Sequence, residues 1–119
     1  MPTRIVTALV LVLMLLGCAT WSQNSLVGDW SGTLNMGGGN LRLIFHISEA
    51  ENGFSATVES VDQGGAIIPA AIVVNGDSIT FVVEQIGVEY IATMSGNTIA
   101  GAFNQFGMTM PDFTISRIE

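Results

Sequence analysis

"SITFVVEQIGVEYIATMSGN", residues 78–97, carries two apolar sets at alternate positions. Ile79, Phe81 and Val83 precede a break at 85–87, and Val88, Tyr90, Ala92 and Met94 follow it. Successive side chains of an extended chain point to opposite faces, so a period of two marks a strand with one face on a core; a helix would place its apolar residues three and four apart. The stretch predicts two antiparallel strands joined by a short turn. The same alternation recurs on both sides of it, in Gly28, Trp30, Gly32 and Leu34, in Leu41, Leu43, Phe45 and Ile47, and in Phe113, Ile115 and Arg117. No segment beyond residue 25 has a helical period with room for three turns.

Turn signals punctuate the chain at short, regular intervals: "GGGN" (37–40), "ENG" (51–53), "DQGG" (62–65), "NGD" (75–77), "QIG" (85–87), "SGN" (95–97) and "NQFG" (104–107). Glycine and asparagine there supply the backbone conformations that tight turns need, and seven breaks divide residues 26–119 into eight strands. The reading is an all-β, eight-stranded antiparallel meander. An open meander leaves two unpaired edges, and closure into an up-and-down barrel removes both, so a closed barrel is expected. Eight strands enclose room for packed side chains or for one small ligand. The run "AIIPAAIVV" (66–74) is the least regular, because Pro69 has no N–H to give a ladder and assigns its half of the strand to an edge or bulge.

Composition excludes several functions. Arg4, Arg42 and Arg117 are the only basic residues against ten acidic ones, and lysine is absent. A chain of net charge −7 has no basic cluster for nucleic acid, and an anionic membrane surface repels it. Without lysine there is no Schiff base and no phosphate-loop lysine. The single histidine and single cysteine supply no metal-ligating set, so neither metal nor cofactor is expected.

The N-terminus "MPTRIVTALVLVLMLLGC" places Arg4 ahead of a largely apolar run that ends at the only cysteine. This is the layout of an export signal, and the run from 5 to 17, about 20 Å long as a helix, is too short for a hydrocarbon core of about 30 Å. Leu15, Leu16, Gly17 and Cys18 resemble the lipobox of bacterial lipoproteins. That resemblance implies a signal peptide over 1–17, diacylglyceryl attachment at Cys18, a lipidated tether over 18–25 and a β-barrel domain over 26–119. Cleavage after Ala19 as an ordinary secretion signal, with Cys18 a bystander, is the alternative. Ala19 rather than Asp after the cysteine implies delivery to the outer membrane of the cell envelope, with the domain facing the periplasm.

Two further resemblances concern the domain. "VGDWSGTL" (27–34) contains the Gly-x-Trp of the first strand of lipocalins, in which an arginine near the barrel's end stacks on the tryptophan; this implies a structural pair of Trp30 and Arg117. "GDWSGTL", "LRLIFHIS", "GFSATVESVDQGGAIIPA", "GAFNQFG" and "FTISR" together resemble the small β domain that precedes some bacterial serine hydrolases and β-lactamase-like enzymes. In that family a tryptophan usually stands at the position of Phe103 and a hydrolase domain follows. The resemblance implies an accessory domain and carries over no catalytic residue.

Asp62, Gln63 and Gln105 lie at predicted turns, where they either line a mouth of the barrel that recognises a polar group or cap the turns through backbone hydrogen bonds. His46 faces away from Phe45 and Ile47 and is read as a surface or hydrogen-bonded strand residue, with ligand contact or a general-base role as alternatives. The expected function is that of a bilayer-anchored, non-catalytic envelope lipoprotein binding a small apolar molecule or a protein partner. A subunit beside a separate serine hydrolase, a purely structural lipoprotein, and an enzyme built on His46 and a carboxylate are its rivals.

Overall fold

A computed structural model describes residues 26–35 and 38–118. The signal peptide, Cys18 and the tether expected over 18–25 lie outside the described residues. Among the described residues eight strands run in chain order: β1 Gly28–Asn35, β2 Asn40–Ala50, β3 Gly53–Ser60, β4 Ala66–Asn75, β5 Ser78–Val83, β6 Val88–Ser95, β7 Thr98–Gln105 and β8 Met108–Arg117. Each pairs antiparallel with its neighbours in sequence, and β8 returns to β1 to close the barrel. Turns of two residues join β2 to β3, β4 to β5 and β6 to β7 at the end where the chain enters at Leu26. The opposite end carries the β7–β8 turn, the β1–β2 loop and 3-10 turns at Val61–Gln63 and Glu84–Ile86. No helix among the described residues is long and apolar enough to cross a membrane.

The alternate apolar residues read from the sequence meet inside. Trp30, Leu34, Phe45, Ile47, Phe81, Val83, Tyr90, Ile99, Phe103, Phe113 and Ile115 are all buried. Tyr90 is the hub: its ring lies 5.8 Å from those of Phe45 and Phe81, 6.0 Å from Phe103 and 5.2 Å from Phe113. Such pairs each add about 0.5–1.5 kcal/mol beyond their buried area, so the aromatics solidify the barrel's waist. Its hydroxyl faces the carbonyl oxygens of Ile99 (2.9 Å) and Phe113 (2.8 Å), tying β6 to β7 and β8 from within. Burial without a compensating cation pushes its pKa well above the ordinary tyrosine value.

Two seams interrupt this regularity. β1 and β8 share only the pairs Trp30↔Arg117 and Ser31↔Ser116. Just beyond them β1 crosses β8 so closely that a Cβ at Gly32 would stand 2.6 Å from the Thr114 carbonyl oxygen, which only glycine tolerates. β3 and β4 pair from Ala56↔Ala70 to Ser60↔Ala66 and then diverge. Residues 53–55 pair with β2 alone and 71–75 with β5 alone, so β4 exchanges one neighbour for the other at its middle. Pro69 lies in the half that pairs only with β3, where one edge of the strand has no ladder to supply.

Candidate functional site

β4 is the one strand of the eight without a buried residue. Its inward side chains, Ile68, Ala70, Ile72 and Val74, pack against the edge of the core and are only half-buried. Where β3 and β4 diverge, a cavity of about 840 Å³ opens at the end of the barrel that receives Leu26. Leu26, Phe54, Ile72, Val74, Ile79 and Met94 form its apolar part. The exposed side chains of Glu49, at the end of β2, and of Glu51 and Asp77, in the two hairpin turns that flank the gap, stand on its rim, and no basic residue lines it among the described residues. Polar and apolar groups share its lining about equally, and its volume lies within the range of small-molecule pockets. A smaller slot of about 280 Å³, between Leu34 on β1 and Met110 and Phe113 on β8, marks the other seam at the opposite end.

The residues singled out from the sequence take other places. Asp62, in the 3-10 turn after β3, accepts hydrogen bonds from the Arg42 backbone N–H (2.9 Å) and from Arg42 Nη2 (2.9 Å), latching that turn onto β2. The guanidinium holds the Asp62 carboxyl below its usual range and Asp62 raises Arg42 in return. Gln63 Oε1 accepts from the Ser60 hydroxyl at 2.8 Å, and Gln105 Nε2 donates to the Ile86 carbonyl at 3.0 Å. All three belong to the end remote from the large cavity, and their side chains bind nearby protein groups there.

Trp30 and Arg117 do meet. The Arg117 guanidinium carbon stands 4.3 Å from the indole centroid, Nη1 donates to the Val27 carbonyl (3.0 Å) and Nε to Asn97 Oδ1 (3.2 Å). The indole Nε1–H donates to the Leu26 carbonyl at 3.0 Å. A cation on an indole face contributes about 0.5–2 kcal/mol, and here it fastens the seam beside the cavity.

His46 sits on the outer face of β2 between two carboxylates. Nδ1 lies 2.7 Å from Asp29 Oδ1 on β1, and Nε2 lies 2.9 Å from Glu59 Oε1 on β3. Carboxylates only accept, so both contacts are hydrogen bonds only when both ring nitrogens carry protons. The imidazolium form is therefore favoured: hydrogen bonding to Asp29 first and to Glu59 second raises the pKa against the opposing effect of burial. In that state the ring has no lone pair with which to take a proton from a substrate. The result is a charge bridge across three strands. Because the folded pKa lies above the unfolded value of about 6.5, this stabilisation is fully present below that pH and is lost as pH rises through the folded pKa. The His46 ring resonances are expected to titrate with a midpoint above 6.5. Unfolding resistance should fall as pH is raised through that midpoint in the native chain and stay flat in His46→Gln; a midpoint at or below 6.5 would contradict the bridge.

Among the described residues no group of three or more histidine, aspartate and glutamate side chains is arranged to hold a metal ion. The cavity residues carried no sequence motif; the one signal that pointed toward them was the irregular, proline-interrupted run of β4. No protein-family model, curated protein or solved structure matches this chain.

Proposed function

We propose that the protein is a lipid-anchored envelope lipoprotein whose barrel is a non-catalytic binding module, with the cavity between β3 and β4 as its binding site. The observation that carries the binding function is the half-covered apolar wall of β4 beside that cavity. Exposed apolar surface inside a concavity gains free energy when a ligand covers it, at roughly 25 cal/mol per Å². The anchor rests on the lipobox-like residues before Cys18. Seven residues separate Cys18 from Leu26, so the eight Cα–Cα steps between them reach at most about 29 Å, and Leu26 enters at the cavity end. An acylated Cys18 thus keeps the cavity near the bilayer, the natural reservoir of apolar molecules.

Two measurements test this reading. Intact-mass analysis of the mature protein should show acyl chains on an N-terminal Cys18, and an unmodified thiol would remove the anchor. Methyl NMR of the mature protein in phosphatidylcholine nanodiscs, titrated with 1-octanol, should shift Ile72, Val74 and Met94 and leave the core residues Ile99 and Ile115 in place. Ile72→Trp, which fills the cavity from its wall, should abolish the shifts; equal response across all methyls would sink the assignment.

A further inference from the structure

The same cavity has a property beyond its apolar lining: two of its walls are strand edges. Across the divergence, residues 53–55 of β3 and 71–75 of β4 have no ladder partner facing them among the described residues. Backbone N–H and C=O groups along such an edge are satisfied by water, and an extended chain can replace that water with ladder hydrogen bonds. The β4 edge offers five successive residues, with Ile72 and Val74 turned toward the cavity and Val73 63 % exposed on the outer face. An added strand alternates its side chains in the same way, so every second one would enter the apolar part.

The rim decides what kind of chain fits. Glu49, Glu51 and Asp77 surround the opening, with no basic residue among the described residues that line it. A second copy of this chain, at net charge −7, would bring like charge to that rim. A segment with basic residues flanking an apolar core is complementary to it. We infer that the gap between β3 and β4 binds an extended peptide segment of alternating apolar residues flanked by lysine or arginine, added as a strand along residues 71–75. This rests on the binding site proposed above and specifies its occupant.

The test uses the mature protein in phosphatidylcholine nanodiscs and a blocked peptide of sequence KVTVTVK followed by calorimetry. Binding should weaken at least tenfold for EVTVTVE, for the Glu49→Gln, Glu51→Gln, Asp77→Asn triple variant, and for at least one of two KVTVTVK analogues N-methylated at alternate residues in opposite registers. In the triple variant the salt dependence should vanish as well. The inference is overturned if both N-methylated analogues bind like the parent, if dodecylammonium binds while no peptide does, or if the protein pairs with itself and excludes the peptide. Octanol shifts at Ile72 and Val74 that persist without peptide binding would overturn this inference alone; loss of both would overturn the binding site itself.

Discussion

Replacing Trp30 with alanine is expected to cost about 3–5 kcal/mol of stability, the range for emptying a fully buried large aromatic site. Trp30 has no exposed surface. Its removal also strands the Leu26 carbonyl that its indole N–H satisfies and takes away the surface on which the Arg117 guanidinium lies at 4.3 Å. The position magnifies the loss, because Trp30↔Arg117 is one of only two pairs that close β1 on β8. Small domains have stabilities of about 5–15 kcal/mol, so the variant should retain little reserve, with a thermal midpoint lower by more than about 12 °C. Trp30→Phe keeps an aromatic surface but not the donor, and should lose less. Denaturant unfolding measures both, and a Trp30→Ala loss under about 1 kcal/mol would show that closure at this seam does not depend on the indole.

Gly101→Ala should be nearly as damaging for the opposite reason, excess rather than missing volume. A Cβ there would fall within contact distance of the Ile91 carbonyl oxygen and the Ala92 Cα, which are backbone atoms of β6 and have no rotamer by which to withdraw. The site adjoins the irregularity in the β7–β8 ladder between Gly101 and Phe103, and Phe113, whose carbonyl meets the Tyr90 hydroxyl, is the β8 partner of Gly101. One methyl group must therefore displace β6 or break this arrangement, at a cost of about 3 kcal/mol, the upper end of the usual range for overpacking. Gly38→Ala is the matched control: a Cβ there meets nothing within 4 Å, and its effect should stay within about 0.5 kcal/mol. Equal unfolding midpoints for the two variants would show that β6 and β7 are not held as tightly as the backbone indicates.

The architecture was legible because it is written in a short-range code. Each hairpin needs only alternation and a turn residue, and "SITFVVEQIGVEYIATMSGN" contains both, so the eight strands and their order follow from neighbours in sequence. The candidate site was not. Asp62, Gln63 and Gln105 drew attention as polar residues at turns, yet each binds a protein group close by, Arg42, Ser60 and Ile86 respectively. His46 could be read as solvent-facing from its parity, but its two carboxylate partners come from β1 and β3, one of them diagonal to it across the sheet. No local pattern announces such a bridge.

Strand number, inward faces, the acidic balance and the single lipid-attachment candidate at Cys18 are properties of residue identity and spacing, readable along one dimension. How evenly the sheet closes is different in kind. The ladder between β3 and β4 stops after five pairs, and the one between β1 and β8 consists of two. These lengths depend on the twist and stagger accumulated around the whole circuit and on where bulky aromatics converge to fill the waist. Here the β3–β4 ladder ends at Ala56↔Ala70, leaving Ile72 and Val74 as a half-covered wall and bringing Glu49, Glu51 and Asp77 to one opening. A cavity is the space that packing fails to fill, and that remainder exists only once every strand is in place.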